Sequence, residues 1–271
     1  MKRKFSVLAA AGALLVLLCG APAWADFEFN MPKGVTPISH EVYSLHMLVF
    51  WVCVGIAVVV YGLMVYAIMN HRKSKGVKPA RFSHNTRLEI IWTTIPALIL
   101  VFLAIPSIKT LVKLEDTRNP DLTIKVTGYQ WRWHYDYMGK NVSFYSALDR
   151  KSNAARRPDS GISPYSVPHY LRNVDHPLVV PVNEKVRLLI TAADVIHAWW
   201  VPDFAVKRDA IPGFINQSWF EAEKIGTYRG QCAELCGMDH GFMPIVVEVV
   251  SKDDFKRFLA EHAAPALTQA D

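Results

Sequence analysis

The sequence predicts an all-β Greek-key sandwich or barrel preceded by a two-helix transmembrane hairpin, and three observations carry that reading. Two uncharged apolar runs, residues 47–68 and 90–108, are long enough to cross the hydrocarbon core of a bilayer. After Leu114 the apolar pattern changes to short alternating stretches set apart by turn residues, the signature of a sandwich or barrel. Between the last two of those stretches, Cys232, Cys236, His240 and Met243 fall within twelve residues. Composition agrees: 51% hydrophobic residues is high for a soluble chain of 271 residues.

Residues 1–25 read as a signal peptide. Lys2, Arg3 and Lys4 lead an apolar run to about Leu18, and Ala23-Trp-Ala25 supplies small residues for cleavage after Ala25. Cys19 raises a lipoprotein alternative, for which Leu18 in front of it is bulky. Residues 26–114 then hold an N-terminal segment and the hairpin, with helices expected at about 43–70 and 87–112. Pro96 and Pro106 are tolerable there, as they are in membrane helices generally. Two buried helices of a soluble domain would not need such lengths. Arg72, Lys73, Lys75, Lys78, Arg81 and Arg87 lie in the short connection, and that excess of positive charge places it on the cytoplasmic side. Both ends of the mature chain are then outside, which is also what a cleaved signal implies. From Glu115 onward 20 Asp and Glu face 18 Lys and Arg, so the formal net charge of +6 belongs to the signal, the connection and the membrane flanks. Nucleic-acid binding is not implied.

Residues 115–262 form the outer β domain. Leu122, Ile124 and Val126 alternate, and Trp131, Trp133, Tyr135 and Tyr137 alternate on the other parity, so a β-bulge is expected near Gly128. Residues 146–177, with Arg156-Arg157-Pro158 and Ser163-Pro164, read as a long loop. Strands are expected at 178–181, 186–191, 217–222, 226–231 and 245–250, a short helix at 252–262, and a loose tail over 263–271. There is no internal repeat.

The Cys–His–Met cluster carries the chemistry. Two thiolates, an imidazole and a thioether select copper, or zinc if the thioether is set aside. Magnesium and calcium want oxygen. The plain alternative is a Cys232–Cys236 disulfide, which an exported domain permits. One cysteine with His and Met would suit a mononuclear blue-copper site, and two are one too many. Two thiolates can bridge two coppers, each with its own terminal imidazole, which calls for a second histidine. His197, in Asp194-Val-Ile-His-Ala-Trp-Trp-Val-Pro202, stands 35 positions before Cys232. Its alternative is a histidine packed beside Trp199 and Trp200. No C-x-x-C-H occurs, which speaks against covalent c-type haem.

The run Gly230-Gln-Cys-Ala-Glu-Leu-Cys-Gly-Met-Asp-His-Gly-Phe-Met-Pro244 closely resembles the dicopper (CuA) loop of subunit II of haem-copper cytochrome c oxidases. Residues 194–202, Asp209-Ala-Ile-Pro-Gly-Phe-Ile-Asn-Gln217 and the aromatic run 128–137 are similar to that family too, over about residues 40 to 258. The resemblance implies a cupredoxin fold. It implies that Cys232 and Cys236 bridge two coppers, that His197 and His240 bind one each, and that Met243 is a weak axial ligand. The remaining ligand would be the main-chain carbonyl of Glu234, whose side chain would turn toward a magnesium site shared with subunit I. Without the resemblance Glu234 is an exposed loop carboxylate. Trp131 resembles the surface aromatic where electrons arrive from a c-type cytochrome, against the alternative of core packing with Trp133 and Tyr135. Glu89, in Leu88-Glu-Ile-Ile-Trp92, resembles a glutamate at the mouth of a proton-uptake path, or is a first-turn carboxylate. Asp194 is read as part of an acidic docking face or as a strand-end charge.

The resemblance thus implies an electron-accepting subunit in a bacterial plasma membrane, multi-pass, with its C-terminal domain on the periplasmic side. Its partners would be a c-type cytochrome, a haem-bearing subunit I and a subunit III. The complex would reduce oxygen to water with proton translocation. Two other classes are weighed. A quinol oxidase subunit II shares the plan but typically lacks the copper ligands, which are present here. A membrane-tethered copper chaperone would show one membrane helix and a thioredoxin-like βαβ pattern, and neither is seen.

Overall fold

The computed structural model describes residues 30–78 and 82–263. The expected signal peptide at 1–25, and the tail beyond Ala263, lie outside the described residues. The chain divides into two units, Met1–Met31 and Pro32–Asp271, and all that follows concerns the second.

Helix α1 runs Pro37–Asn70 and helix α2 runs Thr86–Leu114. The first starts six residues before the expected 43, and its cap explains why. Thr36 Oγ1 accepts from Ser39 N–H at 3.0 Å while Ser39 Oγ accepts from Thr36 N–H at 2.9 Å, and Pro37 occupies the first helical position. That start signal is polar, so a reading of apolar runs passes over it. α2 is capped by Asn85, whose side chain accepts from the Arg87 and Leu88 amides. At about 1.5 Å per residue the helices measure roughly 51 and 43 Å. Val58, Leu63, Leu98 and Leu100 are all more than 60% exposed, as side chains facing lipid are. Glu41 of α1 accepts from Lys113 Nζ at 2.6 Å and from Thr110 Oγ1 at 3.3 Å, joining the helices where they meet the β domain.

Among the described residues ten strands form two five-stranded sheets. The first has β1 (Leu122–Tyr129), β2 (Arg132–Tyr137), β3 (Val142–Ser146), β5 (Lys185–Ala192) and β8 (Asn216–Glu221), in the order β3-β2-β1-β5-β8. The second has β4 (Leu178–Pro181), β6 (His197–Val201), β7 (Val206–Ala210), β9 (Gly226–Cys232) and β10 (Pro244–Val250), in the order β4-β10-β9-β6-β7. β1 pairs β5 and β4 pairs β10 in parallel; the other pairs are antiparallel. Alternation does what it should in β5, where Val186, Leu188, Ile190 and Ala192 point into the core and contribute roughly 1.5–3 kcal/mol for each fully buried large aliphatic. Tyr137 is buried with its hydroxyl bonded to both backbone groups of Val179, which tethers the two sheets.

Three expectations are corrected. The parity change near Gly128 is no bulge: β1 ends at Tyr129, Tyr129 faces Arg132, and Gln130-Trp131 is the two-residue turn of a hairpin. A hairpin reverses the chain, so the same core face recurs on the opposite parity. Residues 146–177 carry a short helix, α3 (Arg150–Ala155), and a 3₁₀ turn at Pro164–Ser166. Strands β3, β6 and β7 escape the sequence pattern, because each is five residues long and carries polar or charged residues. The helix at 252–262 appears where expected, as α4 (Lys252–His262), capped by Ser251.

The basic connection sits at the end of the hairpin remote from the β domain. With cysteine placed at Ser74 in one variant and at Ser160 in another, a membrane-impermeant thiol reagent should label the first only from the cytoplasm and the second only from outside. Labelling of both from one face would refute this orientation.

Candidate metal centre

Register brings the expected ligands together. In the β6–β9 ladder Trp199 pairs with Cys232, and Ala233 N–H donates to Ala198 O at 3.0 Å. His197, two residues before Trp199 on β6, therefore lies beside the first cysteine although it stands 35 positions earlier in the chain. Cys232 closes β9, and β10 starts at Pro244, so paired strands hold both ends of the loop. Cys232 N–H donates to Met243 O at 3.1 Å, drawing the loop shut at its neck.

The donor atoms converge. Cys232 Sγ and Cys236 Sγ are 3.9 Å apart, His197 Nδ1 is 3.9 Å from Cys232 Sγ, and His240 Nδ1 is 3.5 Å from Cys236 Sγ. The Cys232 thiol also points at Glu234 O, 3.4 Å away. Both cysteines are free and buried, so the disulfide alternative is not what the structure shows; a disulfide would need about 2.05 Å between sulfurs. Met243 is buried at the end of the 3₁₀ turn His240–Phe242. Glu234 is exposed, with only its carbonyl turned to the sulfurs.

His197 is fixed from three sides. It is fully buried, with its ring edge-on to Trp133 at 5.9 Å between centroids. Gly128 lies against it, and a Cβ there would come within 2.7 Å of His197 Cδ2, so only glycine leaves room for the imidazole. Asp194 Oδ1 lies 2.9 Å from Nε2. An ionised carboxylate only accepts, so Nε2 carries the proton and Nδ1 offers its lone pair to the cysteines. Asp194 also accepts from Gln130 N–H at 2.7 Å and Val195 N–H at 2.7 Å. Burial raises its pKa, but bonds from His197, Val195 and Gln130 outweigh that and hold it below the usual range. Asp194 stands at a strand end, between β5 and β6, as one of the two readings had it, and from there its carboxylate also orients His197. Its spacing of three residues from His197 was the available signal.

The thiols resist ionising together. Burial opposes the charged form of Cys232, yet the hydrogen bonds it shares with His197 and with the Ala198 and Glu234 backbone bring it down to about 7. Cys236 is pushed up to about 12 by burial and by the charge on Cys232. Two thiolates so close repel, and full ionisation of both calls for cations among them. The donor set thus fits a soft, thiolate-binding metal.

Trp131 stands at the tip of the β1–β2 hairpin rather than inside the core. It is half-buried, and its indole Nε1–H donates to Cys236 O at 3.2 Å, beside a bond from Gln130 Nε2 at 2.9 Å. Gly237, at φ +116°, makes room for the indole: a Cβ there would meet Trp131 Cζ2 at 3.3 Å. Glu89 lies exposed in the first turn of α2, at the far end of the hairpin from the metal loop.

A family model for cytochrome c oxidase subunit II, periplasmic domain, matches residues 122–250, and one for the transmembrane domain of the same subunit matches residues 22–110. The chain belongs to the cytochrome c oxidase subunit II family. A relative from Rickettsia bellii named "Probable cytochrome c oxidase subunit 2" is 42% identical over 243 residues, 89% of this chain and 87% of that one. Cytochrome c oxidase subunit 2 of Cereibacter sphaeroides is 39% identical over 84% of this chain and 78% of its own. A crystal structure of the periplasmic domain of subunit II of cytochrome oxidase from Bradyrhizobium japonicum is 42% identical, covers 54% of this chain and 96% of that chain, and has a TM-score of 0.46. As a subunit II chain it is part of a haem-copper oxidase complex, with α1 and α2 in a bacterial plasma membrane and the cupredoxin-like sandwich on the periplasmic side.

Proposed function

We propose that this subunit II accepts electrons from a c-type cytochrome at a dinuclear copper centre and passes them to haem in subunit I, for oxygen reduction coupled to proton translocation. One observation carries the reading: two unbonded, buried cysteines face each other at 3.9 Å with an imidazole Nδ1 directed at each. Cys232 and Cys236 would bridge, His197 and His240 would each cap one ion, and Met243 and the Glu234 carbonyl would complete the set. The copper pair, when bound, supplies a one-electron carrier whose charge is spread over two ions.

The chain's own contribution is rigidity. Strands β9 and β10 pin the loop, Asp194 fixes the tautomer of His197, and Gly128 and Trp133 fix its ring. Outer partners of this kind typically change metal affinity or activity roughly 10–100-fold when removed. Trp131 reaches from the surface to the Cys236 carbonyl, which supports its reading as the point where electrons arrive. The exposed carboxylate of Glu234 remains available for a magnesium site shared with subunit I. Glu89, near the cytoplasmic surface, is suited to the mouth of a proton path.

The test is the copper content and electron paramagnetic resonance of the full chain in detergent. Two coppers per chain with one unpaired electron shared between them is the expected result. One copper per chain, or zinc alone, would sink the proposal.

A further inference from the structure

The segment between β3 and β4 folds back as an arm with a stapled base. Ala147 N–H donates to Asp175 Oδ1 at 2.8 Å, Asp175 N–H to Ala147 O at 3.0 Å, and Asp149 N–H to Asn173 O at 3.1 Å. Within it the buried Ser152 hydroxyl accepts from Leu171 N–H at 3.1 Å, and Asp149 caps α3. The helix ends at Arg156, and each of the three guanidinium nitrogens is hydrogen-bonded. Nε donates to Asn153 Oδ1 at 2.8 Å; Nη1 and Nη2 donate to Asp239 Oδ1 and Oδ2 at 3.0 and 3.2 Å; its plane lies over the Phe242 ring, 4.4 Å from the centroid.

Both distant partners belong to the metal loop, and they flank His240 on either side. Asp239 also opens the turn that carries His240: Phe242 N–H donates to Asp239 O at 2.9 Å, and His240 N–H to Gly237 O at 3.2 Å. The two charged side chains are 26% and 24% exposed, so this is a sheltered, two-pronged pair rather than a loose surface bridge. A cation over a ring adds to it.

We propose that Arg156 is a positioning residue for His240. Its fork on Asp239 and its stacking on Phe242 fix the turn that aims His240 Nδ1 at Cys236. An arm outside the β9–β10 loop thereby sets the second imidazole of the site. The consequence for copper rests on the dicopper reading above; the effect on the turn does not.

The experiment uses the full chain in detergent, with Arg156→Gln, Arg156→Lys, Asp239→Asn and the Arg156→Gln/Asp239→Asn pair. Without metal, amide hydrogen exchange of residues 237–243 should quicken at least about tenfold in Arg156→Gln, the scale of a lost charged hydrogen bond, while residues of β10 keep their rate. Arg156→Lys keeps the charge without the fork and should recover only part of the protection. The double variant should be no worse than Arg156→Gln alone, since both changes remove one contact. With copper, release to a chelator should be roughly 10–100-fold faster and the reduction potential displaced. Unchanged exchange at 237–243, or an equal rise across β10, would overturn the proposal. Failure of the unaltered chain to take up copper would overturn the dicopper reading, and the exchange result would still decide the role of Arg156.

Discussion

Replacing Cys232 or Cys236 by Ser should leave the chain with at most one copper and no signal shared between two ions. A serine hydroxyl is a hard donor that stays protonated near neutral pH, so it cannot bridge two soft cations. The two positions are only 4% and 3% exposed. An unbonded hydroxyl there costs about 1–3 kcal/mol, which the sandwich core tolerates. The loss of affinity should exceed the roughly 10–100-fold typical of outer-shell changes, because a ligand itself is removed. Metal analysis, paramagnetic resonance and far-ultraviolet circular dichroism together read this. A variant that keeps two coppers and the shared signal would rule out bridging by that cysteine.

The second large effect is on electron arrival. Trp131→Phe keeps most of the aromatic volume at the hairpin tip but removes the indole N–H that bonds to Cys236 O. Copper content should be unchanged. On the proposed function, reduction of the copper-loaded oxidase by a c-type cytochrome should slow by orders of magnitude at similar donor affinity. That affinity should depend instead on surface carboxylates and fall as salt rises, since exposed charges are screened. A small-molecule reductant should be affected less. Stopped-flow reduction with binding measured separately decides the matter, and an unchanged rate at unchanged affinity would reduce Trp131 to a packing role.

Much of this site is legible in the sequence, and for identifiable reasons. Ligand type is a property of single residues, so Cys232, Cys236, His240 and Met243 point to a soft metal by their chemistry. Tight spacing between two strands says that the backbone will hold them. His197 is legible only by requirement and by family resemblance. Nothing local shows that residue 197 abuts residue 232; that follows from the β6–β9 register, in which Trp199 pairs with Cys232. The aromatic run 128–137 shows the same limit. Its parity change is real, but parity alone does not distinguish a bulge from a hairpin, and the pairing of Tyr129 with Arg132 decides for the hairpin. That choice moves Trp131 from the core to the tip that touches the metal loop.

The membrane hairpin and its orientation, the strands β4, β5, β8, β9 and β10, the terminal helix α4 and the donor types of the candidate metal site are all written in the sequence. Each of these rests on composition, charge bias or a short-range period, which act within a few residues. Only long-range packing shows which neighbours surround the candidate ligands: Gly128 against the His197 ring, Asp194 on its Nε2, and Arg156 reaching Asp239 across 83 positions. Periodicity tells which face of a strand is buried. What that face meets depends on long-range register and on how a connecting segment folds back, and both are set by the packing of the whole domain.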